Sequence, residues 1–364
     1  MKILHVELGR HLYGGARQVV YLLDGLARHS GEHALVCAEG AEIAKAISNP
    51  AVRVHALKSA GDLDLGFIDR LRQVIRAERP DLLHIHSRRG DMLAAMAGRL
   101  ENVPLVHSRR VDNPPSVFDL HVKFPQFSKI ITISDGIRQV LLQAGVPAGQ
   151  VVCIPSAVDT ERYQPLPGRA VFRAAFGLDA DAPVLAMIAQ LIPRKGHAVF
   201  FEALPQVLAR HPTVKALIFG RGPLEQELRR TVSERGLDAQ VAFKGFRTDM
   251  HAIIPHMDMV IHPAFMEGLG VALLEAAACG VPIAAGRAGG IPEIVRDGVN
   301  GRLLTPGDAA GLAEAINGML DDPALLARYG QAGRQLVLEQ FSIPRMVEQN
   351  WRVYAQLLGA ADAA

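Results

Sequence analysis

The chain has 364 residues, 49% of them apolar, with 39 basic and 37 acidic side chains and a formal net charge of +2. That length suits two hydrophobic cores better than one, and so small a net charge gives the molecule as a whole no attraction for nucleic acid. The three cysteines, Cys37, Cys153 and Cys279, are dispersed and form no Cys-x-x-Cys pair, which excludes a disulfide framework or a zinc-site pattern and suits three small buried hydrophobes.

Residues 1–6 start directly as a strand, without the apolar core and cleavage site of a signal peptide. No uncharged apolar run reaches the length of a spanning helix; the best candidate, 182–192, stops at Pro193-Arg194-Lys195. The expected location is the cytoplasm, with at most peripheral attachment to the inner face of a membrane. Apolar, β-branched runs predict strands at 2–8, 33–38, 52–56, 82–86, 105–108, 129–133 and 151–154, then at 184–189, 214–220, 241–244, 259–263, 282–285 and 301–304. Helical patterns such as 16–28, 69–78 and 224–235 fall between them. This alternation predicts an α/β protein with parallel, doubly wound sheets covered by helices on both faces. It falters over 159–183, where Pro165, Pro167 and Gly168 interrupt, so the expected domains are 1–165 and 166–343. The tail is an amphipathic helix carrying Met346, Val347, Trp351, Tyr354 and Leu358, and the last alanines are expected to fray.

Ligands of doubly wound sheets sit beyond the carboxyl ends of the strands, so the loops there are the ones to inspect. After the first strand, Gly14-Gly15 leads into a helix; paired glycines let backbone N–H groups approach an anion, although a tight strand–helix turn explains them equally. The Gly-x-Gly-x-x-Gly fingerprint is missing there, which disfavours NAD. Arg194 and Lys195 beside Gly196 suit a phosphate, or are a surface charge pair; Gly220-Arg221-Gly222-Pro223 is similarly glycine-rich and basic. The most informative segment runs from Pro263 to Ala276. Glu267 lies in a loop with Gly268 and Gly270, which opens a helix that closes at Gly280 with Pro282 beyond. Carboxylates accept hydrogen bonds from hydroxyls, and N–H groups at a helix start accommodate oxyanions. Glu267 and Glu275 thus suit two hydroxyl-bearing groups of one ligand; alternatively Glu275 complements the helix dipole and Glu267 is solvated.

Arg194-Lys195-Gly196, Gly220 to Pro223, Gly245-Phe246-Arg247, Glu267 to Gly280 and Gly289-Gly290-Ile291-Pro292-Glu293 closely resemble the retaining glycosyltransferases of family 4 (glycosyl transferases group 1). Gly14-Gly15, Pro80 to His86, Ile133-Ser134 and Ile154 to Asp159 extend the resemblance over nearly the whole chain. It implies the GT-B fold: two facing Rossmann-like domains, the C-terminal helix 344–364 crossing back to the first. It implies that Glu267, with the backbone of Gly268, Leu269 and Gly270, binds the donor sugar, and that Glu275 binds ribose. Lys195 would neutralise the diphosphate with Gly14 and Gly15 near it, and Gly245 and Phe246 would meet the base, with Gly222 and Arg194 also on the donor side.

Two departures stand out. Where the family has Gly-Arg-Leu this chain has Ala189-Gln190-Leu191, so Gln190 replaces a phosphate-binding arginine, and the family's active-site histidine falls on Arg110, with His107 three residues earlier. Arg110, or Arg194 beside Lys195, is the candidate to restore the cation lost at Gln190. The alternatives are an acceptor or ion-pair role for Arg109 and Arg110, and His107 as the active-site histidine in a shifted register. The resemblance further implies retention of anomeric configuration with no metal and no cofactor, the donor being a UDP-sugar; the chain has no Asp-x-Asp metal motif in agreement. The acceptor is expected to be a glycan or lipid-linked hydroxyl of bacterial envelope polysaccharide or lipopolysaccharide. First-domain loops with Arg88, Arg89 and Arg109 would contact it, and Phe118, Leu120, Val122, Lys123, Phe124 and Phe127 would offer a membrane contact, or else an ordinary helix packed inward. A nucleotide-sugar epimerase of the same architecture and a catalytically weak nucleotide-sugar binder are the rival functions.

Overall fold

The computed structural model describes residues 1–26, 28–29 and 31–359; the alanines expected to fray, and Ala27 within the helix expected over 16–28, lie outside them. The chain divides into two compact units, one of residues 1–157 with the stretch from Ile343 onward, the other Val158–Ser342. The join thus falls at Ala157, ahead of the prolines that mark it in the sequence.

The first unit holds seven strands: β1 (Lys2–Glu7), β2 (Glu32–Ala38), β3 (Arg53–Leu57), β4 (Leu82–Ile85), β5 (Leu105–Arg109), β6 (Lys129–Thr132) and β7 (Val151–Cys153). They run in the order β3-β2-β1-β4-β5-β6-β7, with every neighbour parallel. All residues of β4 and β5 are buried, which is why these strands read as uninterrupted runs in the sequence. Alternation sends Leu4, Leu83, Leu105 and Ile130 to one face, under Phe67, Leu71 and Leu93 of the helices Gly66–Glu78 and Asp91–Leu100. Ile3, Leu82, Val106 and Ile131 go to the other, under Leu22 and Leu26 of the helix Gly14–Leu26 and under Met346, Val347, Trp351 and Tyr354. The last four belong to the closing helix Ile343–Leu357, which therefore completes the core of the unit that begins the chain.

That second face also carries a buried polar row. His5 Nδ1 lies 3.0 Å from His86 Nε2, and His84 bonds the Tyr354 hydroxyl through Nδ1 at 2.6 Å and Ser108 Oγ through Nε2 at 2.9 Å. Burial pushes His5, His84 and His86 well below the ordinary histidine range, so the row is uncharged.

The second unit has six strands, β8 (Val184–Ile188), β9 (Lys215–Phe219), β10 (Val241–Gly245), β11 (Met259–His262), β12 (Ile283–Gly286) and β13 (Gly301–Leu304), in the parallel order β10-β9-β8-β11-β12-β13. Its core joins Leu185, Met187, Ile218 and Ile261 to Phe200 and Leu204 of the helix His197–Arg210 and to Leu312 and Ile316 of the helix Ala309–Leu320. The faltering stretch 159–183 contains a helix, Arg169–Ala175, that the flanking prolines and Gly168 conceal in the sequence. Arg173 fixes it, with Nη1 donating to the Asp179 carbonyl at 2.8 Å and Nη2 to Asp258 at 3.1 Å. Among the described residues, no helix is long and apolar enough to cross a membrane.

In each sheet the strand order reverses once, between β1 and β4 and between β8 and β11. Crevices open past the carboxyl ends of the strands at such reversals, so two places follow from topology alone.

Candidate active site

In the second unit the reversal brings together the loops after β8 and β11. The first turns through Pro193–Lys195 into the helix His197–Arg210, and the second runs from Pro263 to Gly270, the residue ahead of the helix Val271–Ala278. They interlock by backbone: the Phe265 N–H donates to the Arg194 carbonyl at 2.9 Å, and Gly196, at φ +76°, lies so close that a Cβ there would sit 2.0 Å from the Pro263 carbonyl oxygen. A third loop clasps the second from behind. The Gly290 N–H donates to the Glu267 carbonyl at 3.1 Å, and a Cβ on Gly289 would meet that oxygen at 1.8 Å. Two of the glycine signals in the sequence thus serve to fix the backbone around Glu267.

The interlock sets Lys195 against Glu267. Their charged ends form a close ion pair with side chains 9% and 14% exposed, and His262, the last residue of β11, places Nε2 2.9 Å from the same Glu267 oxygen. Burial alone would raise the Glu267 carboxyl, but the hydrogen bond and charge of His262 together with Lys195 outweigh it and hold the group down at about 2. The carboxylate is therefore ionised and only accepts, so Nε2 of His262 carries the proton. His197 behind them is buried and pushed down to about 4, first by desolvation and then by the charges of His262 and Lys195.

The other donor-side positions lie around this cluster. Glu275 is in the second turn of the helix Val271–Ala278, half-buried; Gly268, Leu269 and Gly270 are buried; Gln190 and Arg194 are exposed. Gly222 packs against the Leu191 carbonyl, and Gly245 ends β10 with Phe246 exposed beyond it under the Arg221 guanidinium, 4.9 Å from the ring centre.

In the first unit the reversal brings together the end of β1, the start of the helix Gly14–Leu26 and the ends of β4 and β5. Arg109 and Arg110 read as one charged pair in the sequence, but strand alternation splits them. Arg110 turns to the face of the first helix, where its Cδ would lie 3.4 Å from a Cβ on Gly15, and its charge acts on the buried Glu7. Glu7 accepts the Gly9 N–H at 2.8 Å; burial raises its carboxyl, and Gly9 and Arg110 oppose the rise. Arg109 turns to the opposite face, over the Phe124 ring at 5.6 Å, and donates to the Asn113 carbonyl. His107 is on that face too, stacked on Phe127 at 4.9 Å and pushed down to about 3, first by burial and then by Lys123, Arg109 and Arg110. Arg110, not His107, therefore stands beside Gly15, and an imidazole with so low a pKa is a weak base. Gly14 and the loop residues Arg88 and Arg89 are exposed.

The basic and aromatic stretch needs correcting. Lys123 is buried in an ion pair with Asp91, and Phe124 and Phe127 are in the core, so none of the three is available to a membrane surface; Val117, Phe118 and Val122 remain exposed. Glu7 and His262 were missed in the sequence. Their signal is positional: each is a buried polar residue at the carboxyl end of its strand. The histidines His5, His84 and His86 are the one group among the described residues whose ligand atoms, all within 4.8 Å, approach a shared-cation geometry. All their nitrogens but His5 Nε2 are engaged with one another, Ser108 and Tyr354, no carboxylate joins them, and the charge of Arg110 already acts on two of them, so they fit a hydrogen-bonded core better than a cation site.

Two family models match the chain, "Glycosyl transferases group 1" over residues 169–336 and "Glycosyltransferase Family 4" over residues 13–162. The chain is 35% identical over 213 residues to a GDP-mannose-dependent α-(1-6)-phosphatidylinositol monomannoside mannosyltransferase of Mycolicibacterium smegmatis, a match covering 54% of this chain and 53% of the relative, so it spans about half the length of that protein. It is 27% identical to the lipopolysaccharide core biosynthesis glycosyltransferase LpsE of Rhizobium meliloti, over 99% of both chains. Among solved structures, Anabaena HepE in complex with UDP and glucose superposes with a TM-score of 0.85 at 24% identity, covering 98% of this chain and 99% of that one, which establishes a shared fold.

Proposed function

The chain belongs to the family 4 glycosyltransferases of group 1, with the GT-B fold, and from that premise we propose that it is a retaining, metal-independent hexosyltransferase that moves a sugar from a UDP-sugar to a hydroxyl of a glycan or glycolipid in bacterial envelope polysaccharide or lipopolysaccharide assembly. The observation that carries the reading is the buried Lys195–Glu267–His262 cluster at the reversal of the second sheet. A carboxylate held ionised in a partly desolvated loop is a strong acceptor for sugar hydroxyls. The ammonium beside it supplies positive charge for a diphosphate, and the glycine-rich start of the helix Val271–Ala278 adds N–H donors. Glu275 is assigned to ribose, Gly245 and Phe246 to the base, and either Arg110 or Arg194 beside Lys195 to the departing diphosphate.

In this mechanism the acceptor hydroxyl attacks from the side the diphosphate leaves, and the departing phosphate oxygen takes its proton. The chain's own groups then orient the sugar and stabilise charge as it develops on the leaving group, without a protein nucleophile. The envelope assignment follows the LpsE likeness, and the UDP assignment follows the solved structure with UDP and glucose. The test is a panel of UDP- and GDP-sugars incubated with and without glycan acceptors, with products resolved by mass and anomeric configuration. Transfer with retention from a UDP-sugar supports the proposal. Conversion of donor alone would make the protein an epimerase, and nucleotide binding without transfer to any acceptor would make it a binder.

A further inference from the structure

Past the carboxyl ends of β1, β4 and β5 the first unit forms a half-open cavity of about 320 Å³, large enough for a monosaccharide with a substituent. Its walls are unbalanced in charge. Arg88, Arg89, Arg109 and Arg110 line it, against the acids Glu7 and Asp119. Neither acid neutralises an arginine by contact: Glu7 accepts the Gly9 N–H, and Asp119 accepts from Ser116 and lies 3.5 Å from Lys123. Lys123 in turn is paired with Asp91. Among the described residues, none of the four arginines has a carboxylate within the 4.0 Å of an ion pair.

Arg109 is the informative member. It is 5% exposed, its guanidinium carbon lies 5.6 Å from the centre of the Phe124 ring, Nη2 is held by the Asn113 carbonyl, and its Nε is buried with no hydrogen-bond partner. A buried, oriented and incompletely bonded guanidinium is costly unless something pairs with it, and its planar fork matches an oxyanion. Arg110 reaches the same cavity from the other side of the strand, beside Gly15.

Building on the transferase reading, we infer that the acceptor bears an oxyanion, a phosphate or a carboxylate, seated on Arg109 with Arg88 and Arg89 at the rim of the cavity. The sugar hydroxyl that is glycosylated is then selected by the distance between that anion and the reacting carbon.

The experiment observes Arg109 directly. In whole protein labelled with ¹⁵N-arginine, the Arg109 Nε–H resonance, assigned through Arg109→Lys, is followed while glycerol 1-phosphate, glucuronate or neutral glycerol is added. The expected result is a saturable shift with one or both anions and none with glycerol; which anion acts distinguishes a phosphorylated from an acidic acceptor. Affinity should fall at least about fivefold in Arg88→Gln/Arg89→Gln, an exposed pair whose loss leaves the core intact, and should not change in Arg287→Gln, on the other unit. No shift with either anion at about 20 mM, or equal response to glycerol, overturns the inference. So does undiminished affinity in the double variant. Efficient transfer to a neutral acceptor, unaffected by Arg109→Gln, would overturn it while leaving the transferase reading intact; anion binding without transfer would do the reverse.

Discussion

Replacing Lys195 by methionine tests the central cluster most sharply. The Glu267 side chain is 14% exposed and its carboxyl is held at about 2, against an ordinary 4.5. A depression of roughly 2.5 pH units corresponds to about 3 kcal/mol at 1.36 kcal/mol per unit. Because the folded value lies below the unfolded one, that stabilisation is present above pH 4.5 and is lost as pH falls from 4.5 through about 2. In Lys195→Met the carboxylate keeps only His262, and stranding one member of a buried pair costs about 3–5 kcal/mol. Adding Glu267→Gln removes the stranded charge while leaving an amide oxygen to accept from His262 Nε2. The double variant should therefore be more stable than Lys195→Met alone, by about 2 kcal/mol. Urea unfolding followed by circular dichroism at pH 7 reads all four proteins of the cycle. If Lys195→Met costs less than about 1 kcal/mol, or if the two substitutions simply add, His262 alone suffices to keep Glu267 ionised and the Lys195 pair contributes nothing.

Calorimetry with UDP and with the UDP-sugar should separate the two glutamates: Glu275→Ala weakens UDP itself, whereas Glu267→Gln spares UDP and impairs the sugar complex, and equal effects on both ligands would contradict the assignment. Arg110→Ala should depress kcat by about 10²-fold or more with little change in donor affinity, and unchanged turnover would return the arginine to a structural role. Tyr354→Phe leaves His84 Nδ1 buried without its 2.6 Å partner, and thermal melts should show a loss of about 1–3 kcal/mol. The depressed histidines set an acid limit. His5, His84 and His86 stay neutral when folded but bind protons when unfolded, so stability should fall as pH drops below 6.5, by up to about 4 kcal/mol per unit for three groups; a flat profile from pH 7 to 5 would contradict their burial as neutral rings.

The strands were legible because parallel strands covered on both faces are largely apolar, and β4, β8 and β11 are nearly so throughout, although β1 carries His5 and Glu7 inward. The helix Arg169–Ala175 was not, because its start is set by Gly168 and its hold on the unit comes from Arg173 reaching Asp258, far away in sequence. At the site, residue types were legible and directions were not. Gly196 read as part of a phosphate-suited turn and Gly289 only as part of a shared motif, yet both let a neighbouring backbone touch the Glu267 loop. Arg109 and Arg110 read as neighbours, yet β5 sends them to opposite faces. For Lys123, Phe124 and Phe127 the sequence left a membrane contact and inward packing both open, because nothing local announces that Asp91 lies opposite the lysine.

The placement of the helix Ile343–Leu357 has a consequence for synthesis. The first sheet is made before the closing helix, so the side of it holding Ile3, Leu82, Val106 and Ile131 lacks part of its cover until Met346 to Tyr354 have been made. Translation of the intervening second unit, at about 5–20 residues per second, takes roughly 10–40 s. Throughout that interval the nascent chain carries an uncovered apolar face, and His84 waits for the hydroxyl that completes its bonding. The sheet of the first unit is thus complete only once the helix that covers it has been made, and a ribosome that stalls before Ile343 leaves that apolar face exposed.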